Sequence, residues 1–339
     1  MLRTAALLVL TLAACFSIAA DQSDRVKILE QAATLIEHND LASAESALKP
    51  YIAASSDDAV ALNLLGLIRA RQGKLTEAEQ LFRRAIETGH PIVGPHVNLA
   101  RIYAPDRPLD AMRELKAALK IAPKDPELLY TYGMVAFKSE LYPDAQAALE
   151  QALQIRPGYS EAQYALARVY LNQNLAQQAE NEMRVYVTAK PDDASGQYAL
   201  GYILVAEQKL DQAKAAFERS LALEPQQTES LYQVGEIALE QGHTGTAQQT
   251  FMKVLSRDPH HGGALTGLGI IAFRASKYDE AKGDLEQAIA SAPGYQKAHY
   301  YYALTLSKTG DKERAAREFE TSKQLQKKHV SNDSANLPQ

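Results

Sequence analysis

The sequence predicts an all-α solenoid of about nine antiparallel helix pairs, and three observations carry that expectation. Pro123, Pro157, Pro191, Pro225, Pro259 and Pro293 recur every 34 residues. Two columns of small residues keep the same period. Within each period, apolar residues fall three or four apart in two separate stretches, the pattern of two amphipathic helices. Alignment on the prolines divides the chain into repeats 1 to 9: 25–58, 59–92, 93–125, 126–159, 160–193, 194–227, 228–261, 262–295 and 296–329. All hold 34 residues except repeat 3, which holds 33.

Residues 1–20 read as a secretory signal peptide. Met1-Leu2-Arg3 is a short positive start, Thr4 to Ala14 is apolar, and small residues follow before polar Asp21-Gln22-Ser23-Asp24. The apolar run is too short to favour a transmembrane span. Leu12-Ala13-Ala14-Cys15 resembles a bacterial lipobox, in which Cys15 would carry lipid and begin the mature chain. Cleavage after Ala19 or Ala20 fits as well, and Phe16-Ser17-Ile18 prolongs the apolar run past the cysteine. Both readings expect a protein outside the cytoplasm, in the periplasm or as a membrane-anchored lipoprotein of a bacterial envelope.

Each repeat reads as helix, turn, helix. In repeat 4, Leu129, Tyr132, Gly133 and Ala136 form one stripe and Ala145, Ala148, Leu149 and Ala152 a second; Pro157 closes the unit, since proline cannot continue a helix interior. The twentieth position is Ala in all nine repeats, from Ala44 to Ala315, with this and later columns shifted one place earlier in the shortened repeat 3. The eighth is Ala or Gly: Ala32, Gly66, Ala100, Gly133, Ala167, Gly201, Gly235, Gly269, Ala303. The twenty-fourth is large and apolar: Leu48, Phe82, Leu115, Leu149, Met183, Phe217, Phe251, Leu285, Phe319. Small side chains let two helix backbones approach and the large one fills the space between. Repeat 3 departs: Pro91, Pro95, Pro105 and Pro108 cluster there, and Pro105 should end its first helix early, as a tolerated loop variation or as a bend before the later repeats. Residues 330–339 read as a polar tail without expected structure.

Composition narrows the function. A net charge of −5 offers no basic face for nucleic acid. One cysteine excludes a disulfide framework and a cysteine-rich zinc site. Trp is absent while Tyr occurs 17 times. His260-His261 lie in a turn and read as solvated; His96 and His299 read as packing residues. There is no phosphate loop and no nucleophile elbow, so no catalytic residue, cofactor or metal ligand is expected. The first 38 residues after the signal carry eight acids, whereas repeat 9 carries eight Lys or Arg against four acids. That basic end reads either as a solvated cap or as a contact for anionic lipid or an acidic partner.

The period, the small-residue columns, the aromatics and the terminal proline resemble the tetratricopeptide repeat (TPR) family over residues 25–329. The fourth position, often Trp in that family, is Ile28, Leu62, His96, Leu129, Gln163, Gln197, Leu231, Leu265 and His299, and its polar members suggest looser packing. The resemblance implies a right-handed superhelix whose first helices line a concave groove, and a non-enzymatic scaffold that binds protein or peptide segments. The fifth position faces that groove in the family; here it holds Tyr130, Tyr164, Tyr198, Tyr232 and Tyr300, with Arg168, Tyr202 and Glu236 one turn further on. These eight are the expected partner-binding residues, although tyrosine there also packs against the adjacent repeat. The family's clamp for a C-terminal carboxylate is missing: Asn63 and Asn98 do not complete it. An assembly or secretion accessory factor is therefore the leading expectation, with a glycan-binding or cell-wall-enzyme accessory subunit as the alternative; oligomeric state is left open.

Overall fold

The computed structural model describes residues 24–54 and 56–332; the signal segment, with Cys15, and residues 333–339 lie outside them. Among the described residues there are eighteen α-helices and no strand. The chain divides after Pro157 into two compact units. The N-terminal unit holds α1 (24–37), α2 (Leu41–Ala54), α3 (Ala59–Arg71), α4 (Leu75–Glu87), α5 (Val93–Tyr103), α6 (Pro108–Ile121), α7 (Pro126–Lys138) and α8 (Tyr142–Ile155). The C-terminal unit holds α9 (Ser160–Asn172), α10 (Ala176–Ala189), α11 (Ala194–Ala206), α12 (Leu210–Leu223), α13 (Thr228–Glu240), α14 (Thr244–Arg257), α15 (Gly262–Arg274), α16 (Tyr278–Ser291), α17 (Gln296–Thr309) and α18 (Lys312–Asn332). Odd-numbered helices are the first of each repeat and even-numbered helices the second. Among the described residues no helix is long and apolar enough to cross a membrane.

The columns explain the packing. The twentieth-position alanines from Ala44 to Ala281 are fully buried, and so are the twenty-fourth-position side chains from Leu48 to Leu285. Each of those large side chains contributes about 1.5–3 kcal/mol of burial. The eighth position lies directly against its partner, and Gly133 and Gly269 meet Leu149 and Leu285 almost as closely as the other glycines meet phenylalanine. Gly66, Gly201 and Gly235 face Phe82, Phe217 and Phe251, and a Cβ added at any of them would stand 2.5–2.7 Å from a ring carbon. Where the column is Ala32, Ala100 or Ala167, the partner is the smaller Leu48, Leu115 or Met183.

Eight turns between paired helices share one backbone device. The fifteenth position of the repeat adopts positive φ at Asn39, Gly73, Glu140, Asn174, Gln208, Gly242, Ser276 and Gly310. The next residue's N–H then reaches the carbonyl five back, as in Leu141 to Ala136 (2.9 Å) and Lys209 to Leu204 (2.9 Å), a Schellman closure. Repeat 3 lacks it. Pro105 stops α5 at 11 residues, Arg107 takes φ −135°, and its guanidinium lies 4.1 Å over the Tyr103 ring.

The sequence reading expected looser packing at the four polar fourth positions; two of them, Gln163 and His299, are buried all the same. His96 Nδ1 lies 2.7 Å from Glu114 and His299 Nδ1 2.6 Å from Glu318, so each fourth-position histidine is answered by an acid at the twenty-third. In repeat 8 the same columns hold Leu265 and Asp284. Burial, with Glu280 nearby, pushes the half-buried Asp284 carboxyl up to about 6.

Two outcomes follow. Gly201→Ala should destabilise by about 1–3 kcal/mol through overpacking, and in combination with Phe217→Leu the double variant should be more stable than the sum of the singles. A urea-denaturation cycle checks this, and strict additivity would refute the interlock. Because folded Asp284 keeps its proton to higher pH than the unfolded chain, stability should fall as pH rises from about 4 to about 6. Asp284→Asn should therefore raise stability at neutral pH by about 1 kcal/mol, a figure reduced for its partial exposure, and the difference should vanish near pH 4 in thermal melts.

Candidate functional site

The tyrosine column occupies first helices, as the repeat register requires, but its members meet different surroundings. In the N-terminal unit, Tyr130 is half-buried on α7. In the C-terminal unit, Tyr164 on α9 is half-buried and tilts against Tyr186 of α10 with ring centroids 5.1 Å apart. Tyr186 donates its hydroxyl to Asp193 Oδ2 at 2.7 Å, and Asp193 caps α11 through the Ser195 and Gly196 amides. Arg168 and Tyr202 are half-buried on the faces of α9 and α11.

Tyr198 and Tyr232 are buried instead. Tyr198 rests on Phe217 at 5.5 Å, and burial pushes its hydroxyl up to about 12. Tyr232 rests on Phe251 at 6.1 Å and lies tilted against His261 at 4.7 Å. Tyr300 on α17 is the exposed member, edge-on to Tyr301 and to Phe319.

Repeats 7 to 9 build a clasp that the sequence reading missed. The Tyr232 hydroxyl lies 3.0 Å from the Tyr295 hydroxyl, and Lys297 Nζ lies 2.5 Å from Glu236 Oε2. Both links span the intervening α15, from α13 to the start of α17. Small residues on α15 make room: a Cβ at Gly263 would stand 2.6 Å from Tyr232 Cζ, and one at Gly267 2.3 Å from Phe251 Cε2. Lys297 is held above its ordinary value; burial opposes the charge, but Glu236 outweighs it. Burial, reinforced by Glu236, raises the Tyr232 hydroxyl well above the usual phenol range. Glu236 is thus placed with Lys297, and a hollow of about 150 Å³ remains beside them, lined by Leu239, Ile270 and Arg274.

His261 is likewise more than a solvated turn residue. It precedes α15, its Nδ1 accepts the Ala264 amide at 3.1 Å, and its Nε2 sits 3.3 Å from Glu229. It takes the capping place that Asp58, Asp125 and Asp193 hold in other repeats. The sequence signal was available: position 34 is the residue before each first helix.

One carboxylate pair was also not foreseen. Glu180 is buried on α10, with Lys209 Nζ 2.6 Å from its Oε2 and Arg184 Nε 2.7 Å from its Oε1; Lys209 also lies 3.1 Å from Glu207. Burial works against its charge, yet the two cations hold Glu180 down at about 2, while burial and Glu180 push Glu207 up. The cations neutralise the pair, which braces repeat 5 to repeat 6. Among the described residues no group of three His, Cys, Asp or Glu is placed to hold a metal ion.

Known proteins supply the family. Models described as tetratricopeptide repeat match residues 29–90 and 136–201, and the middle TPR-like domain of cilia and flagella-associated protein 70 matches residues 175–327. The chain belongs to the tetratricopeptide-repeat family. None of the curated proteins matches it. Among solved TPR structures, PilF of Pseudomonas aeruginosa is 20% identical, covering 62% of this chain and 96% of that one, with a TM-score of 0.50. Cut9–Hcn1 of the APC/C is 12% identical, covering 88% and 80%, with a TM-score of 0.52. YrrB, described as a TPR protein with an unusual peptide-binding site, is 21% identical, covering 54% and 95%, with a TM-score of 0.46. The likenesses to PilF and Cut9–Hcn1 show the fold.

The clasp in this TPR array makes a direct prediction. Tyr232→Phe and Tyr295→Phe should each destabilise by about 1 kcal/mol, the net value of one hydrogen bond. The double variant should lose less than the sum, because the second hydroxyl no longer has a partner to lose. Denaturant unfolding of the four proteins reads this coupling, and a zero coupling would mean that the two hydroxyls act separately.

Proposed function

We propose that this TPR protein works outside the cytoplasm of a bacterium as a non-enzymatic scaffold that holds a protein segment on its first-helix face, as an accessory to envelope assembly or secretion. Family membership supports protein binding in general terms. The observation that carries the specific reading is the run of half-exposed Tyr164, Arg168 and Tyr202 on the neighbouring helices α9 and α11, with Tyr130 at the same repeat position on α7. Tyrosine supplies broad contact area with a polar tip at small entropic cost, and Arg adds a planar donor. The buried Tyr198 and Tyr232 support the face from beneath and do not offer it. The signal-like residues 1–20 support the location.

The test uses the full chain expressed in a bacterial host. The mature N-terminus should begin at a lipidated Cys15, or at Ala20 or Asp21, as read by mass spectrometry of envelope fractions. A partner cross-linked from envelope extract should bind the Tyr164→Ala/Tyr202→Ala variant at least tenfold more weakly, about 1.4 kcal/mol, while Tyr198→Phe binds as the parent does. Undiminished affinity with intact helicity would take these residues out of the site. A chain that keeps Met1 and stays in the cytosol would overturn the location.

A further inference from the structure

The irregular third repeat leaves a pocket that the tyrosine face does not include. A hollow of about 370 Å³ opens between α3, α4 and α5 in the N-terminal unit. Its apolar wall includes Leu67, Leu75, Ile102 and Pro105, with the fully buried Phe82 at the floor. Pro105 lines one edge of the space, where the first helix of repeat 3 ends early. In repeat 4, α7 continues through Phe137 and Lys138, whereas α5 has already stopped at Tyr103. Leu75 at the rim is 51% exposed, a large apolar side chain that the fold leaves uncovered.

The charge on the pocket is one-sided. Arg71 and Arg101 both line it, and no Asp or Glu does. Arg71 donates one N–H to the Ile36 carbonyl and has no carboxylate partner among the described residues. Arg101 is exposed and makes neither a hydrogen bond nor an ion pair with any described residue. The fold neutralises its other arginines nearby: Arg69 lies 2.8 Å from Glu45 and 3.0 Å from Glu77, and Arg83 lies 2.7 Å from Glu79. A larger hollow of about 650 Å³ by Arg25 is also satisfied from within, because Arg25 lies 2.6 Å from Asp58. The remaining polar group, Asn98, donates to Asn63 Oδ1 at 2.9 Å.

We propose that this pocket is a second binding site, which takes an acidic protein segment by one apolar side chain. A Leu- or Phe-type anchor enters between Leu67 and Ile102 toward Phe82, and flanking carboxylates pair with Arg71 and Arg101. Guanidinium is suited to this role because its planar fork meets a carboxylate with two parallel hydrogen bonds. A recessed pocket with two cations fits a segment; a membrane surface calls for a broad basic cluster. The site shares the scaffold reading but uses none of the tyrosine face, so the two can fail separately.

The test measures fluorescence anisotropy of labelled, end-blocked hexapeptides on the full chain. DELFDE should bind, KKLFKK should not, and DEGSDE should bind at least tenfold more weakly than DELFDE. Arg101→Glu should weaken DELFDE at least tenfold with unchanged circular dichroism, and added salt should weaken it too. Arg101 holds no internal partner, so its replacement leaves the fold intact. Tyr164→Ala/Tyr202→Ala should leave DELFDE binding unchanged. Equal binding of DELFDE and KKLFKK, or undiminished binding by Arg101→Glu, would overturn the site. So would binding to phosphatidylglycerol vesicles without binding to DELFDE.

Discussion

The contact between a small eighth residue and a large twenty-fourth one sets everything else in this molecule. It fixes how closely the two helices of a repeat approach, and hence which faces remain for the neighbouring repeat. The glycines opposite Phe82, Phe217 and Phe251 leave no room for a methyl group. The left-handed residue at position 15 serves the same contact, since the chain must reverse abruptly for the second helix to fall back on the first. Glu140, Gln208 and Ser276 adopt that conformation although it costs a side-chain-bearing residue about 1–2 kcal/mol. The close helix pair outweighs the strain.

The same economy of volume shapes the first-helix face. On α15, Gly263 and Gly267 remove the side chains that would otherwise rise between α13 and α17. Tyr232 and Glu236 then reach Tyr295 and Lys297 instead of standing free. A first helix built from small residues does not open a wider groove; its neighbours close over it. The first-helix face is therefore most available on α9 and α11, where Tyr164, Arg168 and Tyr202 carry the bulk.

Helix pairing and family were legible because they depend on columns that one chain displays nine times over. The site was less legible, because its contacts join different columns in different repeats. Tyr232 and Tyr295 are 63 residues apart and their meeting depends on what α15 lacks. The two fourth-position histidines were read without their partners because that column was taken alone. Set beside position 23, His96 with Glu114 and His299 with Glu318 form pairs that a column-by-column comparison could have found. His261 was misread for the same reason: as half of a His–His dipeptide it looked solvated, and as a member of the capping column it does not.

Charge placement separates what the fold needs from what it leaves for others. Between stacked repeats of the C-terminal unit, position 28 is Val187, Leu221, Leu255 and Ile289; in repeat 9 it is exposed Lys323. Phe319 above it is only partly covered, where Phe217 and Phe251 are fully buried. One substitution thus turns a stacking surface into a wetted one, since burying an unpaired ammonium under another helix would cost several kcal/mol. Other cations of repeat 9 pair internally, as Lys297 does with Glu236 and Arg317 with Glu313. Arg101 is not accounted for in either way. It stands with Arg71, which also holds the Ile36 carbonyl, at an apolar hollow with no acid in its lining, in a fold that pairs Arg69, Arg83 and Arg184 with carboxylates.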